Sequence, residues 1–401
     1  MNATERLLVD CCRVGGRVAT DPDVQWERFE RLAAWHRVAG VAYQALGGAG
    51  EAARLAAAYA ETCARNLGAV AELDRIAAEF ERAGITAMLL KGAALVGDVY
   101  DDYGTRPMHD LDLLLREHEV ARAAAVLGEL GYRPAPPFAS KAETLWEQHG
   151  RWTPLVRADG MVVVELHRRL GGPATVLGFD VDGWWPRARP TSRAALRRPA
   201  PEHLLVHVAL HALGDRRLRS EGALGQLRDV AQVAAGRAGG LDWPGLAAEA
   251  ARTGYGPALA LVLAVVGKLG LYDVPPMSGA DAGLVDEVIT RRVLRDDPWT
   301  TLERFGPRTT ALRQLLPPRP ARVRSAAPYA AWARATARVV TRPGELRREV
   351  SFDRALRPLL SRSGGPGTAP FEELNAPSAP QPPMPSLERR EANGRSGSEE
   401  P

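Results

Sequence analysis

The stretch His109-Asp110-Leu111-Asp112-Leu113-Leu114-Leu115-Arg116 sets two aspartates two residues apart inside an apolar run, and its reading decides the fold. A run this apolar and this short predicts a buried β-strand. Side chains alternate faces along a strand, so Asp110 and Asp112 point one way while Leu111, Leu113 and Leu115 point the other. Two like charges on one face repel unless water or a cation lies beside them. Paired hard oxygen ligands of this kind suit Mg²⁺ or Mn²⁺. Taken alone, the pair also reads as two solvated acids at a strand end.

Working outward, the neighbouring segments narrow the choice. Gly84 is placed to end a helix, and Ile85 to Leu90 is a continuous apolar run of the kind that forms a buried strand. Lys91-Gly92 follows, then a helix from Ala93 and a polar, aromatic loop from Asp98 to Pro107. A glycine at a strand-to-helix turn lets backbone amides approach a phosphate, and Lys91 adds a charged donor, unless it is an ordinary solvated lysine at a helix start. Arg106, just ahead of the aspartates, is placed either to bind phosphate or to neutralise them. After the aspartate strand, Glu117 to Leu130 is helical by period and is stopped by Gly131. Met161 to Leu166 is a valine-rich strand entered from the Asp159-Gly160 turn, and it carries Glu165 with His167 on the same face. Glu165 is a third carboxylate for a metal or a proton, or else the partner of Arg168 or Arg106 in a salt bridge. Tyr100, Asp101, Asp102 and Tyr103 make an acidic, aromatic loop that either stacks a base and lids the site or lies on the surface.

The flanks read differently. From Thr4 to about Ala83 apolar residues recur at helical spacing, as in Leu67, Val70, Leu73, Ile76, Ala77 and Phe80. Past Pro201 the texture is helical again, with Leu204, Val208 and Leu213 on one face, then Leu224 to Ala235, a helix from Trp243 and another over Ala258 to Leu269. His203, His207 and His211 recur every four residues on one helical face, a spacing that suits packing against the strand region better than zinc. The resulting division is 1–84 helical, 85–200 a mixed core, 201–278 helical, 279–360 a partly helical appendage and 361–401 disordered. The last segment has almost nothing apolar to bury.

Composition bounds the rest. The 401 residues hold 52 Lys and Arg against 48 Asp and Glu, a net charge of +4 that makes a weak field for nucleic acid. An RNA-binding role for the arginine-rich carboxyl half is disfavoured, because few aromatics lie among those arginines. Three cysteines, Cys11, Cys12 and Cys63, have no metal-type spacing and suit a reduced compartment. Neither a membrane span nor a leader segment is legible, so a cytoplasmic protein is expected.

The ordered motifs Leu89-Leu90-Lys91-Gly92-Ala93-Ala94-Leu95, Arg106-Pro107-Met108-His109-Asp110-Leu111-Asp112-Leu113-Leu114, Leu130-Gly131-Tyr132 and Val164-Glu165-Leu166-His167 resemble the uncharacterised nucleotidyltransferase family of the DNA polymerase beta-like superfamily. The resemblance continues through His203-Leu204-Leu205, His211, Leu227-Arg228-Asp229-Val230-Ala231 and Leu241-Asp242-Trp243. It implies an α+β fold, a small mixed sheet flanked by helical regions, and transfer of a nucleoside monophosphate from an NTP, ATP first, to an unidentified hydroxyl acceptor: a small molecule, a peptide or protein, or RNA. It also implies that Asp110, Asp112 and Glu165 hold Mg²⁺ or Mn²⁺, and that Lys91, Gly92 and Arg106 face the nucleotide. Lys91-Gly92 stands where the superfamily usually has Gly-Ser, and His109 where glycine is common. The alternative is a nucleotide-binding or partner-binding protein that keeps the fold while its chemistry has lapsed.

Overall fold

The computed structural model describes residues 1–293 other than 17, 136–149, 158, 159, 161, 171–180, 215–221 and 254. Helices α1 (Ala3–Cys11), α2 (Trp26–Trp35), α3 (Ala39–Ala45) and α4 (Ala56–Arg82) come first. Asn2 and Glu5 form a reciprocal cap at the start of α1, satisfying two backbone donors. Gly84, at φ +63°, ends α4 as expected and turns the chain into β1 (Ala87–Leu89).

After β1 come α5 (Lys91–Leu95), β2 (Leu111–Leu114), α6 (Glu117–Glu129), β3 (Tyr132–Pro134), β4 (Leu155–Arg157), β5 (Val163–His167), β6 (Arg189–Pro190) and β7 (Leu196–Arg198). Among the described residues these strands form one mixed sheet in the order β3-β4-β5-β2-β1-β7-β6. β2 is central: it runs antiparallel to β1, with Leu89 opposite Leu113, and parallel to β5, with Asp112 opposite Glu165. α5 begins at Lys91, two residues before the expected start at Ala93. The sheet is wider than the three strands legible in sequence, because β3, β4, β6 and β7 are too short to show a period.

The alternation expected of β2 holds. Leu111, Leu113 and Leu115 join the main core, whereas Leu114 joins a smaller cluster with Met88, Leu90, Leu170, Val181 and Trp184 on the opposite face. Asp112 shares that second face with Leu114. The main core is built by α4 through Leu73, Ile76, Ala77 and Phe80 and by the carboxy-terminal helices. These are α7 (Pro201–Gly214), α8 (Ala223–Ala234), α9 (Trp243–Thr253), α10 (Gly256–Lys268) and α11 (Ala282–Val288). Leu67 departs from the expected stripe and is 50% exposed. The core position one residue earlier belongs to Asn66, fully buried, whose side chain donates to the carbonyls of Tyr103 and Arg106, each at 2.7 Å, and accepts from the Met108 amide. A single buried amide thus ties the loop ahead of the aspartates to α4.

No helix among the described residues is long and apolar enough to cross a membrane. Most of the segment expected to be a partly helical appendage, from residue 294 on, and all of the tail 361–401 lie outside the described residues.

Candidate functional site

The parallel register of β2 and β5 brings the chemistry together. Asp112 faces Glu165 across the pair and Leu114 faces His167. One donor atom from each of Asp112, Glu165 and His167 lies within 4.8 Å of the other two. His167 Nε2 is 2.8 Å from Asp112 Oδ1 and 3.7 Å from Glu165 Oε2. Lys91 reaches across from the end of β1 and places Nζ 2.8 Å from the same Asp112 Oδ1. Its backbone adopts φ +44°, a left-handed conformation that is costly for any residue with a side chain. Arg151 donates to Glu165 Oε2 at 2.5 Å. Asp112 itself is fully buried, and its Oδ2 has no hydrogen-bond partner among the described residues.

Electrostatics separate the two aspartates. Burial works against the charged form of Asp112, but the Lys91 ammonium and the His167 hydrogen bond outweigh it and hold the carboxyl well below the usual carboxylate range. Asp110 lacks such a close cation. Burial, then the Asp112 charge, push its pKa up to about 6 against the pull of Lys91, with Glu165 adding to the rise and Arg106 opposing it. Lys91 loses by burial and gains more from Asp112, Glu165 and Asp110, so it stays protonated.

Of the six residues expected at the site, Asp112, Glu165 and Lys91 converge directly. Asp110 lies outside the tight donor group but within the field of the same charges. Arg106 turns toward the helical region: Nη2 and Nε donate to Asp229 of α8 at 2.9 and 3.3 Å. Gly92 packs beneath Arg106 and Met108, where a Cβ would sit 2.5 Å from Arg106 Nη1. A side chain there would have to displace the Arg106 guanidinium and the Met108 side chain. His109 is exposed. The salt bridge considered for Glu165 exists, though with Arg151, while Arg168 pairs with Glu117.

The loop from Tyr100 to Tyr103 is tied down. Tyr100 is buried, donates to Asp229 at 2.7 Å and lies under the Arg228 guanidinium, 5.0 Å from its ring centroid. Asp102 accepts from Gln44, Tyr59 and the Gly104 amide. Neither the ring nor the carboxylate is free to cover a base. Along α7, His203 stacks on Trp184 with centroids 4.7 Å apart, and His207 meets the same ring edge-on. Burial lowers the pKa of both imidazoles, most strongly for His207. They fill space behind the site as packing residues, and the Asp112, Glu165 and His167 set is the one group of metal-type donors among the described residues.

Three contributors, His167, Arg151 and Asn66, stand outside the six residues expected at the site. His167 was legible, since it lies two residues beyond Glu165 on the same face. Arg151 and Asn66 give no local signal: Arg151 is brought to Glu165 by a bridge between its backbone and His167, and Asn66 meets its partners through tertiary packing.

A family model described as an uncharacterised nucleotidyltransferase matches residues 22–270. The chain belongs to that family. No curated protein and no solved structure matches it. The matched span runs from α2 through α10 and includes every residue of the site, together with the Asp229 that anchors Arg106. Nucleotidyltransferases usually use divalent metals. The donor set here fits one: a buried carboxylate with an unpartnered oxygen lies next to a second carboxylate and an imidazole nitrogen.

Proposed function

We propose that the protein is a metal-dependent nucleotidyltransferase that moves a nucleoside monophosphate from an NTP, ATP first, onto a hydroxyl acceptor. The observation that carries this reading is the orphaned Oδ2 of Asp112, buried beside Glu165. A buried polar atom without a partner costs about 1–3 kcal/mol, so its retention argues for a ligand that satisfies it.

Asp110, Asp112 and Glu165 would hold Mg²⁺ or Mn²⁺. Bound there, such an ion supplies charge neutralisation for the triphosphate and for the leaving pyrophosphate. Arg151 keeps Glu165 in place, leaving its carboxylate to assist as ligand or to take the proton of the attacking hydroxyl. Lys91, at the turn beside Gly92, steadies phosphate. Arg106, clamped by Asp229, stands behind that turn and adds positive charge. The hydroxyl oxygen bonds to the α-phosphorus, and pyrophosphate leaves with the electrons of the broken bond.

A lapsed protein that only binds nucleotide is favoured by one observation: the Lys91 ammonium already occupies Asp112 Oδ1. The test is incubation of purified protein with labelled NTPs, Mg²⁺ or Mn²⁺ and cell extract. Labelled product is expected, and the double variant Asp110→Ala with Asp112→Ala is expected to lose at least about a thousandfold in transfer, roughly 4 kcal/mol of barrier, while circular dichroism stays native. Undiminished labelling in that variant overturns the assignment of the aspartates. Binding of ATP with Mg²⁺ but no pyrophosphate release across a broad acceptor panel selects the lapsed protein.

A further inference from the structure

We propose that His167 is itself a metal ligand, so that the centre is a mixed nitrogen and oxygen site that selects Mn²⁺ over Mg²⁺. This rests on the metal-dependent reading above and adds to it a residue and a selectivity. Alternation along β5 puts Glu165 and His167 on one face, and the parallel register aligns that face with Asp112. The imidazole is buried, with Nε2 turned inward onto the two carboxylates at 2.8 and 3.7 Å.

A purely structural histidine would be arranged otherwise. Asp112 Oδ1 already receives the Lys91 ammonium, a charge-assisted bond that is the stronger of the two available. His167 contacts that same oxygen and leaves Oδ2 bare in a fully buried carboxylate. Two donors on one oxygen and none on the other satisfy the carboxylate poorly. The same positions make sense once an ion is admitted: Oδ2 supplies one ligand, Glu165 another, and the Nε2 lone pair a third. Arg151 donates to Glu165 Oε2, the oxygen that also faces His167, and takes up charge that would otherwise repel the second carboxylate.

The chemistry of the donors then ranks these two ions. Mg²⁺ demands oxygen ligands in near-ideal octahedral geometry and gives up water reluctantly, so an imidazole in its shell is a poor exchange. Mn²⁺ accepts carboxylates and lies within the transition series, whose affinity for nitrogen donors exceeds that of Mg²⁺. Asp110, outside the tight group, is left to the nucleotide side of the ion.

The full-length protein is titrated with Mn²⁺ and with Mg²⁺ by calorimetry, with and without a non-hydrolysable ATP analogue, and the Mn²⁺ form is examined by electron spin echo spectroscopy. The expected result is nitrogen modulation from a directly bound imidazole and Mn²⁺ affinity at least tenfold above that of Mg²⁺, in line with the roughly 10–100-fold that even outer partners of a metal contribute. In His167→Gln the modulation disappears and the Mn²⁺ preference collapses, while Mg²⁺ affinity moves less than about twofold. The wild-type spectrum alone decides the matter if that variant does not fold. Mn²⁺ bound without nitrogen modulation overturns the role of His167 and leaves the oxygen-only metal centre standing. Failure of wild-type protein to bind either ion, with or without the analogue, overturns the metal centre as well.

Discussion

Two buried aspartates, Asp112 on the sheet and Asp229 on α8, each hold a cation and a second donor, and they do it in opposite ways. Asp229 spreads its partners over both oxygens: Tyr100 and Arg106 Nε on Oδ1, Arg106 Nη2 on Oδ2. Asp112 loads Lys91 and His167 onto Oδ1 and leaves Oδ2 without a partner. Their surroundings differ as well: Asp112 shares the Lys91 ammonium with Asp110 and Glu165, while the Tyr100 that donates to Asp229 lies under the Arg228 guanidinium. A saturated carboxylate is one whose job is to hold the fold together. An unsaturated one, crowded by like charges, costs stability until a ligand satisfies it.

The contrast is broken or upheld most directly by stability. Asp229→Ala strands the Arg106 guanidinium and the Tyr100 hydroxyl in the interior, and removal of one partner from a buried pair costs about 3–5 kcal/mol. Asp112→Ala strands Lys91, but it also removes a charge that repels Asp110 and Glu165, which remain to face the ammonium. Its expected cost is about 1–2 kcal/mol, the like-charge relief offsetting part of the lost pair. Urea unfolding of both variants measures the difference. An Asp112→Ala cost equal to or above that of Asp229→Ala makes the two sites equivalent and ends the distinction.

Only one of these two carboxylates was legible as a site in the sequence, and the reasons are geometric. Asp110 and Asp112 announce themselves because strand alternation is a two-residue rule, and the split of Leu111, Leu113 and Leu115 from Leu114 follows from it. Glu165 and His167 obey the same rule on β5. The Lys91 contact depends on the antiparallel register of β1 with β2, which no local pattern specifies. Arg106 was assigned to phosphate or to the aspartates beside it, whereas its partner lies more than a hundred residues away on another helix, beyond any periodicity. The stripe of α4 departs from expectation at Leu67 alone, for a related reason: hydropathy favours Leu67 over Asn66, but the loop carbonyls of Tyr103 and Arg106 need a buried donor. Polar residues that satisfy backbone groups are buried for hydrogen bonds, and a hydrophobic pattern does not register them.

Charge crowding at the sheet site can be sharpened through pH. The Asp110 pKa is raised from 3.8 to about 6 by burial and by its neighbours' charge. A carboxyl with a higher pKa in the folded state binds its proton more tightly when folded, so its ionisation weakens the fold as pH rises from about 4 through about 6. Above that range the full penalty is present, and below pH 4 it is absent. Asp110→Asn removes it and is expected to stabilise the protein by about 1–2 kcal/mol at pH 7, a value set below the full shift because the group is partly exposed. At pH 4 the variant and wild type are expected to unfold together. A variant no more stable than wild type at pH 7 means that Lys91 and Arg106 offset the crowding completely.

The smallest expected effect tests whether the Asp229 cluster is confined to structure. Tyr100→Phe keeps the ring beneath Arg228 and deletes only the hydroxyl that donates to Asp229 Oδ1, which retains Arg106 Nε at 3.3 Å. A hydrogen bond to a charged acceptor with one donor left in place contributes on the order of 1 kcal/mol. Transfer activity below the unfolding transition is expected to stay within about twofold of wild type, under 0.5 kcal/mol in barrier. The reason is positional: Arg106 is held bidentately, so loss of Tyr100 leaves its guanidinium above Gly92 where it stood. A drop of tenfold or more with little loss of stability places Tyr100, Asp229 and Arg106 in one unit with the phosphate turn. Saturation of a carboxylate would then mark a residue that positions the site, and the two aspartates would differ in which ligand they serve.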